Sequence, residues 1–228
     1  MTTNNESVVV SLGGSVINPG EPNMEFVRSV SNVFNDFEGK LGIITGGGTY
    51  ARVYASAIRE LSHNEFFADE VAIMETKQNA LIMISALRDV CPYVPETLRE
   101  AVSLLDTYGK VVLGGAFPGI TTDAVSVMLA EVTKAKRVVN VSNTYGVYDK
   151  NPKKYKDAKK FDEMSLDELL SLAYENDKRS AGEHFIFDLL ACKLAVRSSI
   201  EVHFVPNNLE DIHNALRGRS HSGTVARP

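Results

Sequence analysis

The chain is short of the features that would place it outside the soluble globular proteins. It has two cysteines in 228 residues, Cys91 and Cys192, too few and too far apart for a disulfide framework, so a reducing, cytoplasmic setting is expected. Basic charge is not in excess: the formal net charge is −5, which offers no field to gather a phosphate backbone, and no nucleic-acid polymer is expected as a partner. No run approaches the roughly 18 apolar residues of a membrane helix, so no membrane partner is expected. The start, Met-Thr-Thr-Asn-Asn-Glu-Ser, lacks the basic and apolar blocks of a signal peptide. Five histidines without ligand spacing give no protein-held metal site, and no Ser/His/Asp order stands out.

What the chain does have is unevenly placed glycine. Eight of its 16 glycines fall in three clusters: Gly13-Gly14, Gly46-Gly47-Gly48, and Gly114-Gly115 with Gly119. Each follows a short β-branched run (Val8 to Val10, Ile43-Ile44, Val111 to Leu113) and precedes a helical pattern. Further runs at Val138 to Val141 and Val202 to Val205 complete the expected strands, all apolar with little alternation, as in strands covered on both faces. Helical spacing occupies Met24 to Phe37 behind an Asn23 cap and about Asp69 to Leu87; Pro95 is expected to open another helix, and Ser165 to Glu168 form a capping box. Such alternation predicts an α/β fold, a three-layer sandwich around a mainly parallel sheet, with no linker dividing it. The six lysines between Asp149 and Lys160 read as a solvated loop.

Glycine at the carboxyl edge of a parallel sheet lets backbone approach an anion beside a helix N-terminus. One such pair also reads as a tight turn; three at neighbouring edges suggest a polyphosphate track. The P-loop and dinucleotide fingerprints are absent, and nothing supplies a protein nucleophile. Phosphoryl transfer, which needs alignment and charge stabilisation instead, suits such a site.

Val10 to Val16, Thr45 to Gly48 with Ala51-Arg52, Gly114-Gly115-Ala116-Phe117-Pro118-Gly119-Ile120-Thr121-Thr122-Asp123, Asn143 to Tyr148, and Asp188 to Ala191 together resemble the amino acid kinase family. Within it they are most similar to the archaeal-type uridylate (UMP) kinase branch. The resemblance implies transfer of the ATP γ-phosphoryl group to UMP in pyrimidine nucleotide synthesis, with Mg²⁺ accompanying ATP, in a homohexamer. It implies an acceptor-binding half, residues 1–135, and an ATP-binding half, residues 136–228. To ATP it assigns Gly14, Ser15, Gly48, Arg52, Ser142, Asn143, Tyr148 and Asn151, with Arg52 the candidate for steadying the transferred group. To UMP it assigns Gly47, Asp69 and the loop Gly115, Ala116, Phe117, Pro118, Gly119, Ile120 and Thr121. On their own, Arg52 also reads as a solvated helix charge, Asp69 as a helix cap and Tyr148 as an ordinary aromatic. The apolar stretch Ala80 to Leu87 reads equally as core or as subunit interface.

The chain departs from the family pattern at Tyr145 and Asn151, where carboxylates are usual, and at Lys77 in Thr76-Lys77-Gln78-Asn79-Ala80, where arginine is usual. These changes keep two alternatives open: another small phosphate or carboxylate acceptor, and a nucleotide-binding subunit without turnover.

Overall fold

The computed structural model describes residues 6–152, 154–177 and 187–228. The polar start up to Asn5 and Lys153 of the lysine run lie outside the described residues. In chain order the elements are β1 (Ser7–Leu12), α1 (Gly14–Ile17), α2 (Met24–Asn35), β2 (Lys40–Thr45), α3 (Gly48–Ser62), α4 (Glu65–Ala86), α5 (Leu98–Tyr108), β3 (Lys110–Leu113), α6 (Thr122–Val132), β4 (Arg137–Ser142), β5 (Glu163–Ser165), α7 (Leu166–Asp177), α8 (Leu189–Ser198), β6 (Glu201–Pro206), α9 (Leu209–Leu216) and β7 (Thr224–Arg227).

One seven-stranded sheet runs in the order β3-β2-β1-β4-β6-β7-β5, parallel except for the antiparallel pair β6 and β7. Alternate residues of each strand feed the two faces. Val9 and Ile44 join α5, α6, α7 and α8 in one core, while Val8, Val10, Leu41 and Ile43 join α1, α2, α4 and α9 in the other. This is the expected three-layer α/β arrangement. Because β1 pairs with both β2 and β4, the sheet is continuous across residue 135.

All five expected strands form, with β5 and β7 added. Those two are short, and Thr224–Arg227 lacks the continuous β-branched run that marks the buried strands. Asn23 caps α2, and Ser165 and Glu168 exchange hydrogen bonds as a capping box for α7. Two helix starts differ from expectation. Helix α5 begins after Thr97, whose side chain accepts from the Glu100 amide, so Pro95 lies in the preceding loop. Helix α4 begins at Glu65 behind the Asn64 cap, which makes Asp69 an interior residue and frees its carboxyl for another partner.

Neighbouring parallel strands β3, β2 and β1 place the three glycine clusters side by side at one sheet edge. The first two interlock. A Cβ on Gly14 would overlap the Gly48 amide nitrogen, and one on Gly46 would overlap the Gly14 amide nitrogen, so these loops meet backbone to backbone. Gly48 also takes φ +72°, a left-handed conformation that glycine adopts without a steric penalty.

Candidate active site

Two chambers open at that edge. The first, about 350 Å³, is walled by Gly47, Ala51, Asp69, Ala72, Ile73, Thr76, Gly115, Gly119, Ile120, Thr121 and Thr122. The second, about 470 Å³, is walled by Ser11, Gly13, Ser15, Arg52, Thr122, Asp123, Asn140, Val141, Ser142, Asn143, Thr144, Gly146, Val147, Phe187 and Phe204. They share Thr122, and the sequential pair Ala51 and Arg52 on α3 contributes one residue to each. The chambers therefore adjoin at Thr122 and at the Ala51-Arg52 step of α3.

Helix α4 builds much of the first chamber. Asp69, Ala72, Ile73 and Thr76 follow at intervals of three and four, so one helix face presents all of them. Asp69 Oδ2 accepts from the Gly119 amide at 2.7 Å, tying the helix to the loop after β3. At the loop's far end Thr121 caps α6 by accepting from the Ala124 amide. Thr121 also donates to Asp188 Oδ2 at 2.5 Å, and Asp188 Oδ1 caps α8 through the Leu190 and Ala191 amides. The N-termini of α6 and α8, both favourable to anions, are thereby fixed together.

The second chamber is more polar. Asp123 Oδ1 accepts from Ser11 Oγ at 2.8 Å and from Asn140 Nδ2 at 2.9 Å. Protein packed around this carboxyl desolvates it and raises its pKa to about 7; the Ser11 bond opposes that shift, and the negative charge of Asp188 adds to it. Asn143 Nδ2 reaches the Ser15 hydroxyl at 3.2 Å, joining the loop after β4 to the first glycine loop. Ser142 and Thr144 share a hydroxyl hydrogen bond at 2.8 Å. Arg52 is exposed and donates to Thr49 Oγ1 at 3.1 Å, which leaves most of its guanidinium donors directed to solvent or ligand.

Of the residues expected at ATP, Ser15, Arg52, Ser142 and Asn143 gather in the second chamber, while Gly14, Gly48, Tyr148 and Asn151 lie outside its wall. Gly14 and Gly48 form the interlock beneath it. Tyr148 pairs with Lys160 in an isolated antiparallel bridge, and the Asn151 carbonyl accepts from the Lys154 and Tyr155 amides. Of those expected at UMP, Gly47, Asp69, Gly115, Gly119, Ile120 and Thr121 gather in the first chamber. Ala116, Phe117 and Pro118 lie outside its wall; Phe117 is 59% exposed and meets Phe66 edge to face.

Several wall residues were not assigned a role from the sequence, among them Ala72, Ile73, Thr122, Asp123 and Asn140. The α4 pair was within reach of a periodicity argument started from Asp69. Asn140 was not, since it interrupts the apolar run Val138 to Val141 and reaches the wall through strand register. The departures Tyr145 and Lys77 leave the chambers unobstructed. Tyr145 is 66% exposed while its neighbours Thr144 and Gly146 form the wall, and Lys77 is exposed while Thr76 faces inward. In the lysine-rich loop, Lys150 pairs with Asp157 at 2.6 Å and Lys160 with Asp162 at 3.0 Å.

Residues 6–206 match the model of the amino acid kinase family. The chain is 42% identical to a uridylate kinase of Methanocaldococcus jannaschii, over 92% of this chain and 95% of that protein. It is 39% identical to one of Thermoplasma volcanium, over 94% and 95%. The crystal structure of uridylate kinase from Archaeoglobus fulgidus superposes with a TM-score of 0.85 at 37% identity, covering 96% of this chain and 99% of that one.

Proposed function

The chain belongs to the amino acid kinase family, and on that premise we propose that it transfers the γ-phosphoryl group of ATP to UMP, giving ADP and UDP. The observation that carries this reading is the pair of abutting chambers joined at Thr122 and the Ala51-Arg52 step. Relatives named uridylate kinase across nearly the full length support the choice of acceptor.

In this reading UMP occupies the first chamber and ATP the second. Asp69 keeps Oδ2 on the Gly119 amide and offers Oδ1 to the acceptor ribose, while Gly47, Gly115, Ala116, Phe117, Pro118, Gly119, Ile120 and Thr121 surround base and phosphate. Gly14, Ser15, Gly48, Arg52, Ser142, Asn143, Tyr148 and Asn151 serve ATP. An ionised UMP phosphate oxygen attacks the γ-phosphorus in line as the bond to ADP breaks, and no strong base is needed. Arg52, one turn into α3 and on the wall of the second chamber, holds charge on the transferred group in this reading. Residues 1–135 then act as the acceptor half and 136–228 as the donor half.

Among the described residues no group of three or more His, Cys, Asp or Glu side chains could cage a metal. Mg²⁺, which accepts phosphate oxygens and retained waters, fits a chamber walled by hydroxyls and amides, where Asp123 is the carboxyl beside the donor. It would offset charge on the β- and γ-phosphoryl oxygens. The setting in this reading is cytoplasmic pyrimidine nucleotide synthesis: both cysteines are buried thiols, and among the described residues no helix is long and apolar enough to cross a membrane.

Asp69→Asn keeps an acceptor for Gly119 and removes the charge. We expect it to raise the KM for UMP about 10-fold in steady-state kinetics, with the KM for ATP little changed, as loss of one charged hydrogen bond predicts. Equal rises in both constants, or none, would remove Asp69 from the acceptor side.

A further inference from the structure

Thr76 and Asn79 lie one turn apart on the buried face of α4, 5% and 1% exposed. Thr76 Oγ1 donates to the Ile73 carbonyl at 2.6 Å and accepts from the Gly115 amide at 2.7 Å. Asn79 Nδ2 donates to the Gly46 carbonyl at 2.8 Å. Thr45, the last residue of β2 and fully buried, closes the triangle, its hydroxyl lying 2.9 Å from the Thr76 carbonyl and 3.1 Å from the Leu113 carbonyl. One helix turn therefore grips the loop after β2 and the loop after β3, the two glycine segments between which the first chamber opens. Close approach makes the grip possible. A Cβ on Gly114 would overlap Thr76 Oγ1, and one on Gly47 would come within 3.5 Å of the Thr76 methyl group.

We propose that Thr76 and Asn79 are positioning residues with divided tasks: Thr76 sets the loop that receives the nucleoside monophosphate, and Asn79 sets the triple-glycine junction between monophosphate and triphosphate. The proposal rests on the two-substrate reading above and deepens it. The Gly115 amide is consumed by Thr76, so Gly115 serves the acceptor through its missing side chain and its carbonyl and not through its N–H. The hydroxyl matters because it both donates and accepts: Val at this position fills the same space and leaves the Gly115 amide and the Ile73 carbonyl without it. Asn79 reaches the segment adjoining both phosphate chains, so its loss acts on the transfer step as well as on binding.

The test is steady-state kinetics of Thr76→Val, Thr76→Ser and Asn79→Ala with ATP and UMP, beside melting curves of each protein. Thr76→Val is expected to raise the KM for UMP about 10-fold and leave the KM for ATP within about 2-fold, and Thr76→Ser to recover most of that loss. Asn79→Ala is expected to lower kcat about 10-fold, more than it changes either KM. Should Thr76→Val fold poorly, Gly114→Ala presses a methyl group onto the same hydroxyl from the loop side, and the same rise in the KM for UMP is expected. The proposal is overturned if Thr76→Val or Gly114→Ala raises both KM values equally, if Thr76→Ser recovers nothing, or if Asn79→Ala leaves kcat unchanged. Failure of the parent reading is seen separately, as an unaltered protein that does not use UMP; the same variants are then compared on whichever monophosphate it does use.

Discussion

The Gly223 amide donates to His221 Nδ1 at 3.2 Å, and this sets the polarity of a chain through two imidazoles to a carboxylate. With Nδ1 accepting, neutral His221 carries its proton on Nε2 and donates to His203 Nδ1 at 2.8 Å; His203 Nε2 then donates to Glu201 Oε1 at 2.5 Å. An added proton on His221 would displace the Gly223 amide. Burial, and then the neighbouring His203, lower the His221 pKa from 6.5 to about 4, and the His203 bond holds Glu201 down at about 2. The stability that neutral His221 contributes is complete above pH 6.5 and is lost as pH falls toward 4. Asp123 runs the other way. Its pKa is raised from 3.8 to about 7, so its contribution is complete below 3.8 and is lost as pH rises through 7. Across the shared interval the two slopes oppose, and the melting temperature of the unaltered protein is expected to change little between pH 4.5 and 6.5. Asp123→Asn keeps an acceptor for Ser11 and Asn140 but cannot ionise, so its melting temperature should climb with pH over that interval. Parallel profiles for the two proteins would contradict the assignment.

The first two glycine loops behave as one element, because Gly14 meets Gly46 and Gly48 through backbone alone. Gly14→Ala pushes a methyl group into atoms that have no side-chain freedom. We expect a loss of about 2 to 3 kcal/mol, read as a melting temperature lower by roughly 4–12 °C in calorimetry. A loss under about 0.5 kcal/mol would show that the loops separate easily, since that is the range of ordinary surface substitutions. The sequence made the elements legible where one local force dominates. Val8 to Val10 and Val138, Val139 and Val141 are buried on both faces and have no helical spacing, and Asn23 and the Ser165/Glu168 box state their helix starts directly. Helix α4 was harder to bound, because it is apolar on several faces and two half-exposed phenylalanines, Phe66 and Phe67, follow its cap Asn64 without marking an inward face. Strand β7 depends on pairing with β6 and β5, which local sequence does not encode. In the site, motif wording grouped Asp69 and Thr121, and both line the first chamber. Asn140 and Phe204 come to the second chamber only through strand register, a long-range property.

At the scale of the molecule, one sheet carries both chambers, because β1 pairs in parallel with β4 as well as with β2. Thr122 lines both chambers, and Ala51 and Arg52 of α3 line one each. Val53, Tyr54, Phe66, Phe67 and Met74 on α3 and α4 are each 48 to 60% exposed, and we propose that they pack against further copies of the chain. A homohexamer of the 25.0 kDa chain is expected near 150 kDa in light scattering, and a mass near 25 kDa would exclude it. The most direct measurement is the initial rate of ADP formation from ATP with UMP, CMP and AMP in parallel, in the presence of Mg²⁺. The account predicts a rate with UMP well above those with CMP and AMP, matched mole for mole by UDP; equal rates for all three, or ADP formed without UDP, would contradict it.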